Sequence, residues 1–310
     1  MDRINGFTFL MGKNEGQGFA DGKAKESMRL MRECTGSNTV TLAFIAYQET
    51  AFSEEIDYTG NHMPTDAELR DMIRYAHCLN MQVILKPMVD CRDGIWRARI
   101  DFFDIEEPCE TSWRGWFAHY TNYIKHYALI AEEEQCEMLL VGCELVQSER
   151  KEFYWRKLIK EVRAIYKGVL SYNTDKYQES HVKWWDALDV ISSSGYYPID
   201  AWDENLQRIS KVVEQYKKPF YFAECGMPCR TGASFIPNDW TYEGSLNQQE
   251  QADYYKTMFE KLQQYPFVQG QVGWAWYAIL PENPEKDDDY SVYGKPACEV
   301  IRQFYTEQSM

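Results

Sequence analysis

The stretch PFYFAECGMPC, residues 219–229, sets the reading of the whole chain. Apolar and aromatic residues run up to Ala223, a carboxylate follows at Glu224, and Gly226 and Pro228 then turn the backbone away. An apolar run bounded by turn residues reads as a strand buried on both faces, the kind that parallel sheets use. The question is why such a strand should carry a charge to its C-terminal end.

Working outward, similar runs recur at 4–10, 39–47, 82–89, 137–145, 168–174, 188–197 and 268–277. Segments of helical period separate them, at 22–34, 65–80, 112–134, 151–166, 203–217, 247–265 and 295–308, with a weaker one near 177–186. The helix at 65–80 opens on Thr65 with Glu68 at the capping-box position. Eight strand–helix pairs in 310 residues predict the α/β class and a (β/α)8 TIM barrel, with a doubly wound open sheet as the rival. No linker or low-complexity tract divides the chain, so residues 1–310 read as a single domain. The run EKDDDY at 285–290 reads as a solvated loop.

Composition narrows the partners. Acidic residues number 48 against 33 basic, a formal charge of −15, which argues against a nucleic-acid partner. Hydrophobic residues make up 45% of the chain, enough for a large core, yet no stretch has the length of a membrane span. The N-terminal MDRINGFTFL lacks the pattern of a secretory signal, and nine scattered cysteines suit thiols in a reducing compartment, so the expected location is cytoplasmic. Cys225 and Cys229 form a C-x3-C pair with no second pair at a zinc spacing, so neither a metal nor another cofactor is expected.

In such a barrel, chemistry gathers at the C-terminal ends of the strands. The third strand brings Lys86 and then Asp90, the fourth Glu144, the fifth Asn173, the sixth Tyr196 and Tyr197, the seventh Glu224, and the eighth Trp274 and Trp276. Glu144 and Glu224 would meet across the mouth. Two carboxylates around one pocket can divide the cleavage of a glycosidic bond, one protonating the leaving oxygen and the other attacking the anomeric carbon. Their environments must hold those two protonation states apart. Ten Trp and 22 Tyr suit an oligosaccharide or polysaccharide partner, since flat rings stack on the apolar faces of pyranosides. Trp274, Trp276 and Tyr196 read equally well as core residues. A buried Lys86 would need a carboxylate or a ligand hydroxyl, because an unpaired ammonium is costly. Cys143 and Cys225, beside the two glutamates, read as small packing residues.

These residues resemble those of the clan of retaining (β/α)8 glycosidases, and within it glycoside hydrolase family 113, the β-mannanases. The resemblance rests on GFTF at 6–9, VILKPMVD at 83–90, VGCEL at 141–145, SGYYPI at 194–199, AECG at 223–226, GWAWY at 273–277 and YGKPA at 293–297. It implies a double-displacement hydrolase of β-1,4-mannosidic bonds, with Glu144 as acid/base and Glu224 as nucleophile. It also implies that Tyr196 sits near the nucleophile and that Trp274 or Trp276 floors the cleavage subsite. Many clan members carry an Asn immediately before the acid/base, where it holds the sugar 2-hydroxyl; Cys143 stands there instead. That departure leaves the 2-hydroxyl contact unassigned and keeps open another β-1,4-linked sugar (glucan or xylan) cleaved by the same mechanism. A sugar-binding barrel without catalysis is a separate alternative, against which the presence of both Glu144 and Glu224 argues.

Overall fold

Eight parallel strands close on themselves in chain order, from β1 back to β8. The computed structural model describes residues 3–11 and 18–307. The strands are β1 (Ile4–Leu10), β2 (Thr39–Gln48), β3 (Gln82–Cys91), β4 (Met138–Cys143), β5 (Val169–Thr174), β6 (Ile191–Gly195), β7 (Phe220–Cys225) and β8 (Val268–Tyr277). Around them lie α1 (Gly22–Thr35), α2 (Asp66–Cys78), α3 (Trp113–Glu133), α4 (Glu152–Ile165), α5 (Trp202–Tyr216), α6 (Gln248–Leu262) and α7 (Pro296–Glu307). This is the expected barrel. The last residue of the helix expected over 295–308 lies outside the described residues.

Local signals explain most helix starts. At α2 the Thr65 hydroxyl accepts from the Glu68 N–H, while the Glu68 carboxylate accepts from the Thr65 N–H at 2.8 Å. Such caps contribute about 1 kcal/mol each. The helix expected near 177–186 does not form; among those residues and their neighbours there is only a 3-10 turn at Trp185–Ala187. Trp184 and Trp185, adjacent and both fully buried, are tied to different places instead. Trp184 stacks on Trp155 with centroids 4.7 Å apart and donates to the Glu149 carbonyl, whereas Trp185 donates to the Glu179 carbonyl. The run at 285–290 is not simply solvated either: Tyr290 is buried and donates its hydroxyl proton to the Pro237 carbonyl.

Inside the barrel an apolar floor is formed by Ile4, Ile84, Met138, Leu140, Val190, Tyr221, Ala223 and Val272. Outward strand residues such as Phe7, Leu42, Val141 and Phe222 join the larger core under the helices. Above the floor the interior turns polar. Lys86 falls between Ile84 and Met88 on the inward face of β3, as a side-chain period of two requires.

Three strands break that period near their C-terminal ends. Between Leu140 and Cys143, β4 has one residue more than β5 opposite; between Phe222 and Glu224, β7 has one more than β6; between Gly273 and Trp276, β8 has one more than β1. These are β-bulges, which re-aim every side chain that follows. No helix among the described residues is long and apolar enough to cross a membrane.

Candidate active site

The slip in β7 answers why a buried strand ends in a carboxylate. Ala223 faces the barrel floor, and the extra residue turns Glu224 inward as well, just above it. Gly226 follows at φ +146, where an added Cβ would strike the Trp274 carbonyl and the Tyr255 hydroxyl, each at 2.8 Å, so only glycine lets the chain leave here.

Glu224 is 4% exposed and both of its oxygens are engaged. Oε1 accepts from the Lys86 ammonium, and Oε2 accepts from the Tyr196 hydroxyl at 2.8 Å. Lys86 is fully buried and also donates to Asn173 Oδ1 at 2.7 Å, with its ammonium 5.6 Å from the centroid of the Trp274 ring. Burial alone would pull the pKa of Lys86 down, but the acidic surroundings, with the Glu224 carboxylate in direct contact and Glu144 nearby, more than offset this and hold it above its ordinary value. Burial and the Glu224 charge keep the Tyr196 phenol protonated, as a donor must be.

Glu144 directly follows β4 and is 8% exposed. Its Oε1 accepts from the Ser194 hydroxyl at 2.7 Å, and its Oε2 lies 3.5 Å from Nη1 of Arg97. Its pKa is pushed up to about 7. Burial is the main cause, followed by the negative charges of Glu224 and Asp175; Arg97 and the Ser194 hydrogen bond pull the other way. Asn173 links the two halves, accepting from Lys86 and donating to Ser194 Oγ at 3.1 Å.

The structure therefore brings Lys86, Asn173, Glu144, Tyr196, Glu224 and Trp274 together. Asp90 lies one step back: it accepts from Nε and Nη2 of Arg97 at 2.9 and 2.8 Å, holding the guanidinium that faces Glu144. Trp276 is a correction. It is fully buried, packs against Phe7 and Tyr293, and donates its indole proton to Ser27 of α1. The bulge at 274–275 sends Trp274 inward and Trp276 outward, although an unbroken strand would put both on one face.

Sequence reasoning misses four contributors. Arg97 sits in the loop after β3, where no periodicity marks it. Ser194 is masked in the run of three serines on β6. Cys143 is more than packing: its Sγ lies 3.5 Å from Glu224 Oε1 and 3.7 Å from Asn173 Oδ1, and burial pushes the thiol well up, so it is a neutral donor. Cys225, after the slip, faces the helices as a packing residue. Trp240, 53% exposed in the loop after β7, meets the edge of Trp274 and lies on Tyr290 at 4.3 Å. It carries aromatic surface from the pocket out to solvent. Among the described residues no group of three or more His, Cys, Asp or Glu stands where it could hold a metal ion.

The arrangement can supply one carboxyl that keeps a proton near neutrality and one carboxylate fixed by two donors. Chains with known structures carry the same fold throughout. Two structures described as a GH113 β-1,4-mannanase, one of them a complex, are each 54% identical over 99% of both chains, with TM-scores of 0.96 and 0.97. The GH113 β-mannanase AaManA from Alicyclobacillus acidocaldarius, solved in complex with ManMIm, is 37% identical over 99% of this chain and 98% of that one, with a TM-score of 0.94. No curated protein matches. The family model of Glycoside Hydrolase Family 113 matches residues 7–295, and the chain belongs to that family.

Proposed function

We propose that this chain hydrolyses β-1,4-mannosidic bonds by double displacement, with Glu224 as nucleophile and Glu144 as acid/base. The observation that carries the assignment is the asymmetry between the two carboxyl groups. Glu224 accepts from an ammonium and a phenol, one on each oxygen, which orients it for attack. Glu144 is buried, faces the Glu224 charge and is pushed up to about 7, so it holds the proton a sugar leaving group needs.

In the first step Glu144 gives its proton to the glycosidic oxygen as Glu224 attacks the anomeric carbon, forming a glycosyl-enzyme. In the second, Glu144 takes a proton from water, which displaces Glu224 and restores the starting configuration. Lys86, Asn173 and Tyr196 bind around the reacting sugar, and Trp274 offers it a ring face. Similarity to β-1,4-mannanases supports mannose as the sugar.

Incubation with mannan, mannohexaose, cellohexaose and xylohexaose tests the reading. Cleavage of the mannose substrates is expected, and cleavage confined to the glucose or xylose series overturns it.

The setting we infer is a reducing compartment, supported by nine cysteines that all carry free thiols. Such a setting favours short mannooligosaccharides over polymer. A higher kcat/KM on intact mannan than on mannotetraose removes that part of the proposal.

A further inference from the structure

Glu144 is one of the few non-glycine residues with a left-handed backbone, at φ +52. That conformation costs on the order of 1–3 kcal/mol and persists only where the surroundings over-determine it. Two N–H groups at the turn show how. The Glu144 N–H donates to the Asn173 carbonyl at 2.7 Å, and the next N–H, of Leu145, donates to the Tyr172 hydroxyl oxygen at 2.9 Å. Adjacent residues of β5 thus hold adjacent N–H groups of the turn, one through its backbone and one through its side chain.

Tyr172 is fully buried under the helices, and its single hydroxyl proton goes to Oε1 of Glu149 at 2.9 Å. This leaves the oxygen's lone pairs for Leu145. The same Glu149 oxygen accepts from the Thr174 hydroxyl at 2.7 Å. Glu149 is itself fixed, since its carbonyl accepts from the Trp184 indole at 3.1 Å. Among the described residues no cation pairs with it, and burial pushes its carboxyl up to about 8, so it serves as an uncharged anchor.

We propose that Tyr172 and Glu149 are positioning residues for Glu144: they lock the turn that aims its carboxyl, and so set the rate of the steps in which Glu144 moves a proton. The proposal rests on the acid/base role given to Glu144 above. Neither residue faces the pocket, so neither touches substrate.

Tyr172→Phe leaves the Leu145 N–H buried without its acceptor and frees the turn. On mannotetraose, a poor leaving group, kcat is expected to fall about 10- to 100-fold, part of what general acid–base catalysis contributes, with KM changed by less than about 2-fold. On an aryl β-mannoside with an acidic phenol, in the presence of azide, neither proton transfer is needed; turnover stays within about 3-fold of the parent and β-mannosyl azide accumulates. An equal loss on both substrates, or no loss on mannotetraose, overturns the proposal. If Tyr172→Phe does not fold, Glu149→Leu gives the same readouts, and Glu149→Gln, which keeps an acceptor oxygen, must restore the mannotetraose rate that Glu149→Leu loses. Glu144→Ala is assayed alongside. Its failure to give β-azide would remove the acid/base assignment itself, whereas β-azide from Glu144→Ala without substrate dependence in Tyr172→Phe removes only the positioning role.

Discussion

Tyr196 donates its phenolic proton to Oε2 of Glu224 at 2.8 Å. With Lys86 on the other oxygen, the carboxylate has one donor per oxygen and a single orientation. Losing a hydrogen bond to a charged group costs roughly 1.5–3 kcal/mol. Tyr196→Phe is therefore expected to slow formation of the glycosyl-enzyme by about 10- to 100-fold, measured as the burst rate on an activated aryl mannoside. A burst rate within twofold of the parent would show that the phenol does not orient Glu224.

Lys86 is fully buried and forms an ion pair with Glu224. Lys86→Met strands the carboxylate in a desolvated pocket, and breaking a buried pair from one side costs about 3–5 kcal/mol. Urea unfolding at pH 7 is expected to show a lower midpoint, together with loss of activity. Retained stability would mean that water enters and solvates Glu224.

Activity should also report the acidity of Glu144. As a general acid it works protonated, so kcat/KM is expected to fall as pH rises through about 7. The Arg97 charge pulls that value down. Arg97→Met removes the cation and leaves Asp90 unpaired beside the pocket, and both effects favour the protonated carboxyl. The falling limb should therefore move to higher pH; movement to lower pH would contradict the geometry.

The same shift has a stability consequence. The folded pKa of Glu144 lies above the ordinary carboxylate value, so the folded state binds the proton more tightly than the unfolded state. Stability is then full below about pH 4.5 and is lost as pH rises toward about 7. Replacing Glu144 by Gln removes the charge, with a gain of roughly 3 kcal/mol at pH 8 as an upper bound. Thermal melts at pH 5 and pH 8 should show Glu144→Gln close to the parent at the first and more stable at the second. No difference between the two pH values would refute this.

Trp240 and Trp276 should separate cleanly. Trp240 is half exposed beside Trp274, whereas Trp276 is core. Trp240→Ala is expected to raise KM for mannohexaose about 10-fold with little change in melting temperature, since an exposed ring contributes mainly by stacking. Trp276→Ala leaves a cavity costing about 3–5 kcal/mol and should lower the melting temperature with KM unchanged. The reverse pattern would exchange the two roles.

The sequence carries the barrel plainly, because eight apolar runs alternating with helical periods admit few closed arrangements. It also carries Glu144, Glu224, Lys86 and Asn173 to the strand ends, since position along a strand is readable from where the apolar run stops. What it hides is rotation about the strand. Trp274 and Trp276 look equivalent at a spacing of two, and only the extra residue in β8 separates them. Arg97 is hidden for another reason: a loop has no period, and its contacts with Asp90 and Glu144 depend on how the loop folds back. The helix expected near 177–186 fails because two neighbouring indoles find separate anchors.

The bulges give the barrel two phases. Along β4 the inward residues are even-numbered at the floor, Met138 and Leu140, and odd at the rim, Cys143; along β7 they pass from Tyr221 and Ala223 to Glu224; along β8 from Val272 and Trp274 to Ala275 and Tyr277. The floor, which stabilises the fold, and the rim, which holds the reacting groups, are thus written in the same strands but read one residue out of step. Adding a single residue just past a slip, between Gly142 and Cys143 for instance, would leave the floor in place and turn the rim residues that follow to the opposite face. Such a chain keeps its apolar pattern and still presents the wrong faces to the pocket, so at these three points the count of residues constrains the chemistry more tightly than their identity does.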